Sequence, residues 1–146
     1  MCEYYQEGLS VCTPISNLWI GVTAENQEWA DKRIPELLKI PAAVRFASYE
    51  PVLAECDFQQ YLDAPKRGGA WPDSECKLDW LIVGPETGAG RRECEPEWIQ
   101  SVIEQCDAAG VPVFVKAFPM PDGGISKDMS EWPEWARRRG FPEAKP

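Results

Sequence analysis

Four short apolar runs recur along the chain, and each ends on polar residues. Residues 18–24 (LWIGVTA) run into Glu25 and Asn26, and residues 43–49 (AVRFASY) into Glu50 and Pro51. Residues 79–83 (DWLIV) run into Gly84-Pro85-Glu86-Thr87, and residues 113–115 (VFV) into Lys116. Runs of this length and composition predict strands buried on both faces. Between the first two, residues 27–40 place Trp29, Ile34, Leu37, Leu38 and Ile40 on a partial apolar face, which predicts a helix stopped by Pro41. Pro35 inside that window predicts a kink or a late start. Between the last two, Glu95-Pro96-Glu97-Trp98 opens a stronger helix, since proline fits a first turn and acids suit the positive end of the helix dipole. Trp98, Ile99, Val102, Ile103 and Cys106 form its apolar stripe, Gly110 ends it and Pro112 follows.

The remaining segments are less regular. Residues 54–77 are mixed: 57–62 predict a short helix, and 65–74 are rich in Gly, Pro and charge, as in an inserted loop. Residues 1–16 have no periodicity and read as a lead-in. The tail, 119–146, holds Asp122-Gly123-Gly124 and a short amphipathic piece around Trp132 and Trp135. The order β-α-β-insert-β-α-β predicts one α/β domain over 1–146, with a parallel sheet as the core of 17–118. Four strands are too few for a closed eight-stranded barrel. Half of an open or six-fold barrel and a small doubly wound sheet both satisfy the pattern.

Composition narrows the chemistry. At 146 residues, 44% hydrophobic and with seven tryptophans, the chain has enough apolar mass for a packed core. The tryptophans read as packing residues. A net charge of −9 disfavours nucleic acid as a partner, because phosphate backbones need clustered Lys and Arg. The short basic runs Arg91-Arg92 and Arg137-Arg138-Arg139 read as solvated surface. With no histidine, Ser-His and Cys-His nucleophile pairs and histidine metal ligands are excluded. The six cysteines (Cys2, Cys12, Cys56, Cys76, Cys94 and Cys106) contain no C-x-x-C pair, which argues against a zinc ribbon or a thioredoxin-type motif. The start, Met1-Cys2-Glu3-Tyr4-Tyr5, has neither the basic nor the apolar segment of a signal peptide, and no apolar run is long enough to span a membrane. The expectation is a cytoplasmic protein, off the membrane, with reduced structural thiols.

In one parallel sheet the strand ends share a rim, and α/β proteins bind ligands there. The predicted rim holds Glu25, Asn26, Glu50, Glu86, Thr87 and Lys116 as ligand-binding candidates. Carboxylates hold ribose hydroxyls or an ammonium group, and a lysine pairs with one of them or holds a ligand carboxylate. The turn through Gly88 and Gly90 offers backbone N–H groups to an anion, although it matches neither G-x-G-x-x-G nor a P-loop. Glu25, Glu50 and Glu86 are also a weak candidate set for Mg²⁺. The competing expectation is structural, with acids at strand ends capping helices and pairing with basic neighbours.

These residues also carry a resemblance. NLWIGVTAEN, ADKRIPELLKIPAAVRFASYEPVL, LDWLIVGPETGAGRR, AAGVPVFVKAF and the ending ISKDMSEWPEWARRRGFP resemble the carboxyl half of a phage-associated family of unknown function, over about residues 17–142. Its members look like radical-SAM-type barrels. The resemblance implies a partial (β/α) barrel, half TIM-like, with the six rim residues at family motif positions and S-adenosylmethionine as a candidate cofactor. It also implies that an amino-terminal half carries the cysteines for an iron–sulfur cluster. Two departures matter. The third-strand motif reads Gly84-Pro85-Glu86-Thr87-Gly88 where the family has G-G-E-S-G, and Cys2 and Cys12 do not reproduce the cluster spacing. The chain then starts mid-barrel and holds no cluster alone. A half barrel exposes two sheet edges, so the expected partners are a second copy of the chain or a separate amino-terminal half. The alternative is a non-catalytic acidic module that binds a host protein by charge complementarity.

Overall fold

The computed structural model describes residues 15–63 and 77–143. The first part of the lead-in, the inserted loop at 65–74, and Cys2, Cys12 and Cys76 lie outside the described residues.

The strand and helix pattern carries through. Strand β1 is Ile15–Thr23, helix α1 Gln27–Leu37, β2 Ala42–Tyr49, the one-turn helix α2 Gln59–Leu62, β3 Trp80–Val83, helix α3 Pro96–Ala109 and β4 Val113–Val115. Asn26 caps α1 by accepting from the Trp29 N–H at 3.2 Å, so the helix begins on time and Pro35 is carried inside it. The helix ends at Leu37 and a turn covers 38–40, which shortens the predicted 27–40. β1 begins at Ile15, inside what reads in sequence as lead-in. The four strands form one parallel sheet in the order β1-β2-β3-β4, with Thr23 beside Ser48, Tyr49 beside Val83, and Val83 beside Val115. The sheet does not close into a barrel.

Helices cover one face of this sheet. Ala47, Tyr49, Leu81, Val83, Val113 and Val115 point into a core shared with Ala30, Ile34 and Leu37 of α1 and with Ile99, Val102, Ile103 and Cys106 of α3. The residues after β2 complete that layer. Phe58 is buried with its N–H on Gln105 Oε1 (2.6 Å), Gln27 and Asp57 exchange hydrogen bonds, and the Tyr61 hydroxyl reaches Asp31 at 2.5 Å.

The opposite face is aromatic. Trp80 stands at its centre, with ring centroids 5.6 Å from Phe46, 6.1 Å from Trp19, 6.3 Å from Phe114 and 5.1 Å from Phe141. Gly21 on β1 makes room for the Phe46 ring: a Cβ there would fall 2.3 Å from it. Trp19 and Phe141 remain exposed at 41% and 60%, so this face is only partly covered. The core is therefore one-sided, unlike the two-sided burial that the apolar strands predict.

The tail changes the edge expectation. A small antiparallel pair, β5 (Phe118–Pro119) and β6 (Ile125–Ser126), and two 3₁₀ turns at Met129–Glu131 and Glu134–Ala136 bring the chain back beside β4. Val115 N–H donates to Arg138 O (2.9 Å) and Gly140 N–H to Val113 O (2.9 Å), forming an antiparallel bridge from Phe114 to Arg139. The β4 edge that a half barrel would leave open is thus paired by the chain's own tail, and the expectation of two exposed edges is corrected. No helix of the described residues is long and apolar enough to cross a membrane.

Candidate functional site

Residues 50–53 fold across the carboxyl ends of the strands. Val52 N–H donates to Gly84 O (3.0 Å) and Leu53 N–H to Glu25 O (3.2 Å), tying the ends of β1, β2 and β3 together. The rim carboxylates are fixed by the basic residues nearest to them. Arg33 of α1 reaches Glu25 Oε2 at 3.2 Å and Thr23 O at 2.8 Å, and its guanidinium lies 4.1 Å from the centre of the Trp29 ring. Asn26 is occupied as the α1 cap.

Glu86 is held by the glycine turn. Its carboxylate accepts from Arg92 Nη2 (2.6 Å), Arg92 Nε (2.9 Å) and the Arg92 N–H (2.7 Å). Gly88 and Gly90, at φ 101° and 72°, supply the left-handed bends that fold the turn back onto the acid. The turn's N–H group at Arg92 therefore serves Glu86, where the sequence offered it to an external anion. The Arg92 side-chain and backbone hydrogen bonds hold the Glu86 carboxyl down at about 2.

This shift has a checkable consequence. A carboxyl whose folded pKa is depressed stabilises the fold above its unfolded value, about 4.3, and loses that contribution as pH falls toward 2. A carboxyl-carbon NMR titration should place Glu86 near 2 in the native chain. In Arg92→Met it should return to the ordinary glutamate range. An unchanged midpoint in the variant would remove Arg92 as the cause.

The third ion pair differs in span. Glu50, at the end of β2, meets Lys116, at the end of β4, with Oε2 and Nζ 2.9 Å apart. The bridge passes over the end of β3, where Gly84 has no side chain: a Cβ there would sit 3.4 Å from the Glu50 carboxyl carbon and 3.6 Å from Lys116 Cβ. Ser48 Oγ steadies the other Glu50 oxygen at 3.3 Å. A cavity of about 300 Å³ opens beside the bridge. Glu50, Gly84, Thr87 and Lys116 line it with Phe114, Lys127 and Arg139.

The structure thus brings Glu50, Thr87 and Lys116 to one cavity and leaves Glu25, Asn26 and Glu86 out of its lining. Lys127 and Arg139 are the site residues that sequence reasoning missed. Arg139 stood in a basic run read as solvated surface, and for Arg139, partly buried against two rings, that reading is corrected. Arg137 donates to Trp132 O (2.9 Å) and Arg138 to Asp107 Oδ2 (2.8 Å), while the Arg139 guanidinium lies over Phe114 at 4.5 Å and Trp132 at 5.3 Å. Arg91 is exposed, and it donates to the Gly123 carbonyl and ties the glycine turn to the tail.

A larger cleft of about 840 Å³ lies between that turn and the β5–β6 pair, floored by Phe118, Met120 and Trp135. Cys94 lines it, buried and free, and burial pushes its thiol up to about 12. Cys56 and Cys106 are likewise buried, free and raised to about 12 by desolvation. These are neutral packing thiols rather than nucleophiles or ligands. Among the described residues no three Cys, Asp or Glu gather into a group that could hold a metal ion. Glu25, Glu50 and Glu86 are each engaged with a separate cation, so they do not form the Mg²⁺ set weighed from sequence.

Comparison with curated proteins finds no match, and comparison with solved structures finds none. A family model described as "Protein of unknown function (DUF5131)" matches residues 1–129, and the chain belongs to that family.

Proposed function

We propose that this chain is the carboxyl half of a radical-SAM-like (β/α) barrel of the phage-associated type. It binds a small charged ligand, either S-adenosylmethionine or the substrate, at the carboxyl rim of its sheet, and it needs a partner half for catalysis. The observation that carries the reading is the Glu50–Lys116 bridge, which spans three strand ends beside a cavity. An acid and a lysine fixed side by side match the ammonium and carboxylate of an amino-acid head group, and Thr87 adds a hydroxyl.

The architecture supports a half barrel. Doubly wound sheets reverse their strand order and carry helices on both faces. Here the order is sequential and α1 and α3 share one core, as in a barrel whose helices form an outer ring. The aromatic face then corresponds to the barrel interior, and a partner half would bury Trp19. The described cysteines fit no iron–sulfur cluster, since all three are separate buried thiols.

Calorimetric titration of S-adenosylmethionine into the chain tests the cofactor branch. In that branch the result is a saturable heat, weakened about tenfold (~1.4 kcal/mol) in Glu50→Gln and in Lys116→Met, the typical loss of one charge-assisted hydrogen bond. No heat with the native chain removes S-adenosylmethionine from the rim.

A further inference from the structure

The rim cavity has a charge that the protein as a whole does not. Lys116, Lys127 and Arg139 line it against a single carboxylate, Glu50, in a chain of net charge −9. The three cations come from separate places: the end of β4, the residue after β6, and the tail segment bridged to the β4 edge. They also differ in how they are held. Lys116 is shared with Glu50. Arg139 is fixed by its two aromatic neighbours and by Met129 Sδ, 3.0 Å from its Nε. The exposed Lys127 side chain has no hydrogen-bond or ion-pair partner among the described residues. Gly84 and Pro85 also line the cavity, and neither brings a charged or polar side chain to fill the space.

We infer that this cavity takes a dianionic oxyanion, a phosphomonoester group on the ligand, held between Lys127, Arg139 and Lys116. The inference rests on the reading that the rim cavity binds a small ligand, and it assigns the cavity to an anionic substrate rather than to the cationic sulfonium cofactor. Glu50 already pairs with Lys116. A dianion matches the two charges that remain, on a free lysine and a stacked arginine, and point-charge lysines and planar guanidiniums are the usual phosphate donors. A cavity of about 300 Å³ suits a small phosphorylated molecule.

The test is calorimetry of inorganic phosphate into the full chain at low ionic strength, beside the S-adenosylmethionine titration, with acetate as a monoanion control. Phosphate should bind saturably and acetate at least tenfold more weakly, and added salt should weaken phosphate binding. Lys127→Ala should weaken phosphate about fivefold or more. Because Lys127 is exposed and unpaired among the described residues, its thermal melt should match the native chain. Phosphate that fails to bind, or binds equally well in Lys127→Ala, overturns the inference. If S-adenosylmethionine binds in a Glu50-dependent way while phosphate does not, the inference fails and the proposed function stands. If neither ligand binds, both fail.

Discussion

Replacing Trp80 by alanine is expected to destabilise the chain by about 3–5 kcal/mol, the usual cost of removing a large buried aromatic. Trp80 is only 8% exposed, and it is the common neighbour of Trp19, Phe46, Phe114 and Phe141 on the face opposite the helices. Its indole N–H also donates to Gly140 O at 2.8 Å, fastening the tail to the sheet. Truncation therefore leaves a cavity and frees the segment that pairs with the β4 edge. Urea denaturation should show the lower midpoint, and limited proteolysis should show faster cleavage near residues 137–143. Trp80→Phe should recover most of the stability but not the tail protection, because the ring contacts return without the hydrogen bond. Equal protection in Trp80→Ala and the native chain would mean that the tail is held by its backbone bridge alone.

Phe58→Ala is expected to cost a similar ~3–5 kcal/mol from the other side of the sheet. Phe58 is fully buried against Tyr49, centroid to centroid 5.2 Å, and its N–H is anchored on Gln105 of α3. The backbone anchor survives the substitution, so the segment after β2 stays in place while the helical layer loses its filling. The midpoint in urea should fall with little change in slope. Against a typical domain stability of about 5–15 kcal/mol, either loss is a large fraction. Proteolysis distinguishes the two variants, since only Trp80→Ala releases the tail. A loss below about 1 kcal/mol in Phe58→Ala would show that the helical layer collapses into the gap.

The repeating plan was legible because its signals are local. Apolar runs of strand length, the Asn26 cap, Pro96 at the start of α3 and Gly110 at its end act through neighbouring residues, and each element forms within a few residues of its expected bounds. The strand ends were legible for the same reason, since a parallel sheet brings them to one rim whatever the side chains do. What those ends do was less legible. Glu25 and Glu86 find arginines within eight positions along the chain and are engaged locally, the outcome that the structural expectation foresaw. Glu50 finds Lys116, sixty-six positions away, and only strand order places that pair over Gly84.

The sequence by itself determined the βα alternation, the parallel sheet and the polar rim, because hydrophobic periodicity and helix-end chemistry act over one or two turns of chain. The tertiary structure alone decided that both long helices share one face, that the opposite face is aromatic and half open, and that the tail returns to pair with β4. It also decided that Lys127 and Arg139 join Glu50 and Lys116 at one cavity. These outcomes depend on contacts between residues far apart in the chain, where packing and backbone pairing, rather than local pattern, select the neighbour.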